Sequence, residues 1–404
     1  MVLRKILIAL LGLSMLAAAV GCGGSSSISE SQTEPGTAMG ASLKTSPTGF
    51  DFEIFQRVTQ EDSLKNVILS PLSARISLAM TYNGASGGTK KAMAEVLELE
   101  GLDVEEVNRQ WRDLTASLCR ADEAVQLEIV NSLWANQEFE FYDDFIDRCE
   151  EYYRAEVADL DYGDPQSVDV INGWVKEKTH DKIDEIVQSL NEELEVLLLL
   201  NALYFKGSWA VPFDPSLTHD GNFTLADGRI KRVPMMRNTG DYDFYEGYRF
   251  QAVRIPYGEG RMSMYVFLPG PELSLQQFIR ELNPESWEGW MDLFEKEEID
   301  IALPRFEVEY EKDLSPALRA MGMGPAFEGG FGEMGPNGED WFIEYVKQKT
   351  YMDVNEEGTE AAAATATMMT TGIKPSIVVN RPFFLAIRDN QTGALLFTGS
   401  IVDP

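Results

Sequence analysis

Apolar residues at Phe50, Ile54 and Val58 recur four apart, with Phe55 three before Val58, and this spacing lays them on one face of a helix. A second, mostly buried helix is expected over residues 71–82, with Ser70 as its N-cap and Pro71 at its first position. Gly84-Ala85-Ser86-Gly87-Gly88 ends it, and Thr89 can cap a helix over 90–97. Helical patterns also cover 104–119, 141–155 and 172–188, while 125–135 and the run of leucines at 196–200 read as strands. Beyond Ala202 the period shortens. Strands are expected at 202–205, 249–255, 262–268, 299–303, 306–310, 342–349, 377–379, 383–389 and 394–401, the last two joined by a hairpin turn at Asn390-Gln391-Thr392-Gly393. Helices first and strands later predict an α+β fold with antiparallel sheets.

The first residues follow a different pattern. Arg4 and Lys5 precede an uncharged run over 6–20, too short to span a bilayer convincingly. It closes on Ala19-Val20-Gly21-Cys22, which resembles the lipobox of bacterial lipoproteins. Residues 1–21 are therefore expected to be a signal peptide and Cys22 the lipidated N-terminus, with an uncleaved anchor or a plain export signal as the alternative. Residues 22–48 are mainly Gly, Ser, Thr and Glu and read as a flexible tether. The folded body is expected over 49–404, and no fixed-period repeat divides it.

Charge narrows the possible partners. The chain carries 66 acidic and 34 basic side chains, a net of −32. That sign repels phosphate backbones and excludes nucleic-acid binding as a function. It also weakens electrostatic attachment to anionic lipid, leaving acyl chains on Cys22 as the membrane anchor. Cys119 and Cys149 lie on separate expected helices, so their pairing stays open. No metal or cofactor is expected, because His180 and His219 are far apart and acidic runs such as Glu192-Glu193-Leu194-Glu195 lack calcium-loop glycines.

One stretch breaks the rules of a globular chain. Residues 358–372 read Gly-Thr-Glu-Ala-Ala-Ala-Ala-Thr-Ala-Thr-Met-Met-Thr-Thr-Gly, with one charge, no aromatic and no branched aliphatic residue. A loop this long is usually functional or disordered. Written as a strand, it places Thr359, Ala361, Ala363, Thr365, Thr367 and Met369 on one face and Glu360 on the other. That parity suits burial in a sheet, although a flexible linker or a short alanine-rich helix would have the same composition.

Glu356-Glu357-Gly358-Thr359-Glu360-Ala361-Ala362-Ala363-Ala364-Thr365 closely resembles the loop hinge of inhibitory serpins. Asn66-Val67-Ile68-Leu69-Ser70-Pro71-Leu72-Ser73, Asn201-Ala202-Leu203-Tyr204-Phe205-Lys206-Gly207-Ser208-Trp209, Leu303-Pro304-Arg305-Phe306, Asn380-Arg381-Pro382-Phe383 and Gly393-Ala394-Leu395-Leu396-Phe397-Thr398-Gly399 resemble the family's motifs in the same order. The resemblance covers about residues 50–404. It implies the serpin fold, with helices packed on three mainly antiparallel β-sheets and an exposed reactive-centre loop at about 356–376. It also implies a monomer that supplies no catalytic group. Its partner is a serine or papain-like cysteine protease, held as an acyl-enzyme while the cleaved loop inserts into the central sheet.

Counting from the hinge and back from Asn380 brackets the reactive bond at Thr371–Gly372, with Met369–Thr370 as the alternate. Lys374 is followed by Pro375, so an elastase-like or subtilisin-like target is expected rather than a trypsin-like one. Ser70, Ser73 and Asn201 match a polar cluster beneath the sheet, with Gln348 where the family usually has histidine. Trp209 and Arg305 match positions under the loop's entry point, Arg305 able to pair with Glu356. Two rivals remain: a non-inhibitory serpin with a chaperone, storage or carrier role, and a lipid-anchored serine hydrolase built on Gly84-Ala85-Ser86-Gly87-Gly88. The hydrolase motif needs a strand before its serine, and here a helix is expected.

Overall fold

The computed structural model describes residue 43 and residues 47–191, 195–359 and 374–404. The first half is mainly helical: α1 (Gly49–Glu61), β1 (Val67–Leu69), α2 (Pro71–Tyr82), α3 (Gly87–Val96), α4 (Val104–Leu118), β2 (Val125–Asn136), α5 (Asp143–Tyr153), β3 (Glu156–Leu160), α6 (Gln166–Lys178) and β4 (Leu197–Ser208). The second half is mainly strand: β5 (His219–Thr224), β6 (Ile230–Glu246), β7 (Phe250–Pro256), β8 (Met262–Pro269), α7 (Leu275–Ile279), α8 (Pro284–Met291), β9 (Glu295–Pro304), β10 (Phe306–Asp313), α9 (Ser315–Leu318), β11 (Lys347–Val354), β12 (Gly358–Thr359), β13 (Ser376–Val378), β14 (Phe383–Asp389) and β15 (Leu395–Ile401). Among the described residues, helices and three mainly antiparallel sheets give the α+β class expected from the sequence.

The largest sheet runs β1-β15-β14-β8-β7-β6-β9-β13, with β5 hydrogen-bonded to β6. Burial is concentrated at β8, β14 and β15, and every residue of β8 and β15 is buried, whereas β6 and the start of β9 carry exposed charged residues. A four-stranded sheet runs β12-β4-β2-β3, and β10 pairs with β11 in a separate ribbon. Along β4 the faces divide cleanly. Leu197, Leu199, Leu203 and Phe205 pack into the main core, whereas Leu198, Leu200 and Ala202 meet Trp174 and Val175 of α6.

Several boundaries depart from the sequence reading. The helix expected over 172–188 is instead α6, which starts at Gln166 and stops at Lys178. His180 and Asp181 adopt left-handed backbone, with φ of 50° and 61°. The chain then folds back, and Asn172 Oδ1 accepts from the N–H groups of Ile186 and Val187 at 2.9 and 3.0 Å. The apolar residues at 183–187 thus share a cluster with the helix without continuing it. The strand expected at 342–349 forms at Lys347–Val354, because Ile343 and Val346 spend their N–H groups on Ala326 O and Ser315 Oγ. The separate strands expected at 196–200 and 202–205 are one, β4. Packing also begins ahead of Gly49: Leu43 is buried and its N–H meets Gln110 Oε1. Cys119 and Cys149 are both free thiols, Cys149 buried and Cys119 exposed.

Candidate functional site

Where β11 ends, the chain turns sharply at Asn355–Gly358, with the N–H of Asn355 on Gly358 O at 3.0 Å and that of Gly358 on Asn355 O at 3.3 Å. Only glycine suits the corner. Gly358 has φ 152°, and a Cβ there would lie 2.0 Å from Gly207 O. Gly358 and Thr359 form β12, which joins β4 antiparallel, Gly358 opposite Ser208 and Thr359 opposite Gly207. Thr359 is buried, its hydroxyl 2.9 Å from Tyr257 Oη. Tyr257 in turn stacks on Trp209 at 4.5 Å between ring centroids. A side chain on Gly207 would strike the Tyr257 ring, its Cβ 2.8 Å from Cδ1. A glycine, a tyrosine and a tryptophan therefore build the floor on which the hinge lands.

The turn is pinned from below. Trp209 gives its ring N–H to Asn355 O at 2.9 Å and its main-chain N–H to Glu357 O at 3.0 Å, and Phe213 N–H reaches Glu356 O at 2.8 Å. Glu356 is buried. Its carboxylate accepts from Thr218 Oγ1 at 2.7 Å and pairs with the Arg305 guanidinium. Burial pushes that carboxyl's pKa up, but the hydrogen bonds from Arg305 and Thr218 outweigh it and hold the group below the ordinary glutamate range.

Below Thr359 lies a seam. β4 and β11 face each other across a cleft lined by Leu197, Leu199, Asn201, Lys347 and Gln348. Among the described residues neither strand pairs with the other: β4 bonds to β2 and, at its top, β12, while β11 bonds to β10. Each bank is tied to the start of α2 instead. Gln348 uses its carboxamide like a peptide group, accepting from Ser70 N–H and donating to Ser70 O, both at 2.9 Å. Thr350 Oγ1 adds a bond to Ile68 O at 2.7 Å. On the opposite bank Ser73 Oγ donates to Asn201 Oδ1. The sequence-derived set Ser70, Ser73, Asn201 and Gln348 thus converges, with Gln348 on the Ser70 main chain. Trp209, Arg305 and Glu356 to Thr359 converge at the top of the seam.

The hinge residues Glu360, Ala361, Ala362, Ala363, Ala364 and Thr365, the bonds Thr371–Gly372 and Met369–Thr370, and Cys22 lie outside the described residues. The chain resumes at Lys374, whose ammonium sits 2.9 Å from Glu298, and Asp300 N–H bonds to Pro375 O at 3.0 Å. Sequence reading missed Tyr257 and Thr218, each brought to the site from a distant stretch with no local motif to mark it, and Thr350, two residues beyond Gln348 on β11. Ser86, the candidate hydrolase nucleophile, caps α3 after a preceding helix and donates to Glu339 Oε1 at 2.8 Å. His180 meets Glu128 and His219 starts β5, and among the described residues no hydrogen bond joins either histidine to Ser86. Among the described residues no helix is long and apolar enough to cross a membrane.

The comparisons with known proteins agree with this geometry. The family model described as "Serpin (serine protease inhibitor)" matches residues 45–404. The leukocyte elastase inhibitor of Equus caballus is 31% identical, the match covering 90% of this chain and 99% of that one. Among solved structures, the thermophilic serpin tengpin in its native state superposes with a TM-score of 0.79 at 28% identity, covering 88% of this chain and 92% of its own. Human thyroxine-binding globulin gives 0.81 at 26%, covering 88% and 97%. The fold is the serpin fold, and this chain belongs to the serpin family.

Proposed function

We propose that this chain is a single-use inhibitor of serine endopeptidases, with papain-like cysteine proteases as a second target class. It offers residues about 356–376 as bait. The protease's own serine attacks the Thr371 carbonyl. The Thr371–Gly372 bond breaks, an ester forms between the serine oxygen and Thr371, and the proton goes to the new Gly372 amine. The freed strand then enters the seam, and the acyl-enzyme is carried with it before water can release it. Serpin loop insertion combines strand addition with release of stored strain, and the same two steps would drive this trap.

The observation that carries the reading is the unpaired seam between β4 and β11, with β12 already seated at its top. Register supports it. Continued down β4, the strand would set Ala361 opposite Phe205, Ala363 opposite Leu203, Thr365 opposite Asn201, Thr367 opposite Leu199 and Met369 opposite Leu197, at the foot of β4. Opposed residues share a face. Those β4 residues, apart from Asn201 at the polar cluster, pack into the main core, so the small uncharged side chains would go inward. Glu360 would stay on the outer face opposite Lys206.

Lys374 is engaged with Glu298, which supports a target preferring small or medium apolar residues, elastase-like or subtilisin-like. The likeness to a leukocyte elastase inhibitor points the same way. We place the mature protein outside the cell as a monomer, residues 1–21 removed, Cys22 lipidated, 22–48 acting as tether and 49–404 as the working body. The likeness to thyroxine-binding globulin keeps a carrier role as the second reading. The small-residue hinge argues against it.

Incubation with elastase-like, subtilisin-like and trypsin-like enzymes tests the proposal. An SDS-stable complex is expected with the first two, and the released fragment should begin at Gly372 or Thr370. Turnover without a complex, or release after Lys374, would overturn it.

A further inference from the structure

The tripeptide Asn-x-Thr, the acceptor signal for N-linked sugar, occurs twice in the chain, at Asn222-Phe223-Thr224 and at Asn390-Gln391-Thr392. The signal needs a carboxamide nitrogen free to react and a hydroxyl free to be recognised. The fold leaves both free at one of the two places and uses both at the other.

Asn390 is committed to the hairpin between β14 and β15. Its Nδ2 donates to Gly260 O at 3.1 Å and to Ser263 Oγ at 2.9 Å, and its Oδ1 accepts from Tyr265 Oη at 2.6 Å. Thr392 spends its hydroxyl on the Asp389 carboxylate at 2.6 Å. A sugar on Asn390 Nδ2 would replace one of its two protons and push into the space that Gly260 and Ser263 hold.

Asn222 stands differently. It lies on β5, which among the described residues pairs with β6 alone. Phe223 is fully buried, and strand alternation therefore turns Asn222 and Thr224 outward, where both are exposed. Asn222 Oδ1 accepts a long bond from Arg232 Nη1 at 3.4 Å. Among the described residues neither Asn222 Nδ2 nor the Thr224 hydroxyl donates to any partner, and the N–H of Thr224 is already paired with Asn380 O at 2.8 Å. Ile230 lies directly opposite Thr224 on the same outward face and is 65% exposed, so a sugar on Asn222 would have an apolar side chain to rest against.

We propose that Asn222 is an N-glycosylation site, modified by a transferase that uses a lipid-linked oligosaccharide as donor. Asn222 Nδ2 attacks the anomeric carbon of the first sugar. The carbon–nitrogen bond forms and the bond from that carbon to the lipid phosphate breaks. The phosphate leaves with the electron pair, and the amide proton passes to a base of the transferase. The Thr224 hydroxyl is the group by which the acceptor is recognised. The inference rests on the reading of residues 1–21 as an export signal, which brings the chain to the side of the membrane where such donors are used.

Mass mapping of the protein purified from its native host tests this. Trypsin separates the two signals, because residues 207–229 and 389–404 each fall in a single peptide. The first should carry added sugar mass and the second should be bare. Asn222 and Thr224 are exposed, so substitutions there leave the core intact. Thr224→Ala should abolish the added mass, and Thr224→Ser, which keeps a hydroxyl, should retain it. A bare 207–229 peptide from a chain lacking residues 1–21 overturns the inference and leaves the export reading standing. A bare peptide from a chain that retains residues 1–21 refutes both. Sugar that persists in Asn222→Gln sits on Thr224 instead and overturns the assignment, as does sugar found on 389–404 in place of 207–229.

Discussion

The large sheet and the seam use the same strand chemistry to opposite ends. In the large sheet every inner strand has two neighbours, and β8, β14 and β15 are buried almost throughout. At the seam, β4 and β11 each carry an edge without a ladder partner over most of its length among the described residues. Proteins usually shorten, charge or cover such edges. Here two long ones are kept face to face, with a candidate third strand attached at the top. One sheet is finished; the other is unfinished, and on the proposed inhibitory reading an added strand would release free energy held there. A kinetically trapped state of this kind is judged by the rate at which it converts, not by its equilibrium stability alone.

The sharpest way to break the comparison is to damage each region and ask which property fails. Thr359 is buried over Tyr257, so Thr359→Arg forces an unpaired charge into the top of the seam, at a cost of several kcal/mol. The variant should be cleaved as a substrate with almost no trapped complex, although its native fold persists. Phe384 lies in the finished sheet, fully buried against Phe55 and Phe267 with ring centroids at 5.5 and 5.8 Å. Phe384→Ala should lower unfolding stability by about 3–5 kcal/mol. Yet the molecules that remain folded should trap protease at the wild-type stoichiometry. If stoichiometry followed stability in both variants, the division between the two regions would be false.

How much of this was legible beforehand follows the range of the interactions. The N-cap at Ser70, the apolar face of α1 and the final hairpin depend on residues close in sequence, and all form where the pattern places them. The faces of β4 were not readable, since the run Leu197-Leu198-Leu199-Leu200 is apolar on both sides and only the packing of α6 divides it. The end of α6 was not, since its apolar residues continue while His180 and Asp181 turn the chain and Asn172 holds the returning segment. The site divides in the same way. Gly358, Thr359, Glu356, Ser70 and Asn201 sit in contiguous motifs. Tyr257 and Thr218 meet hinge residues more than a hundred positions away, and nothing in their local sequence marks either. The two-sided bond of Gln348 to Ser70 needed coordinates too, because a glutamine's choice between a main-chain and a side-chain partner is set by the gap it spans.

The smallest expected effect sharpens the comparison at the point where the regions meet. Glu356 fastens the hinge to Arg305 at the end of β9, a strand of the finished sheet, and to Thr218. Its carboxyl titrates below the ordinary glutamate range. A depressed value in the fold means that the anchor is complete above the ordinary glutamate pKa of about 4.3 and drains away as the pH falls through the lower folded value. Glu356→Gln should therefore lower the thermal midpoint at neutral pH by the equivalent of about 1 kcal/mol, because Arg305 is half exposed and water replaces part of the lost bond. The gap between variant and wild type should hold constant from neutrality to about pH 5 and close in stronger acid, as both side chains become neutral. Thermal melts of the pair across that range check it. A gap that persists in strong acid, or one absent at neutrality, would mean that the carboxylate does not fasten the hinge and that the seam is held at its top by Trp209 and the Gly358 turn alone.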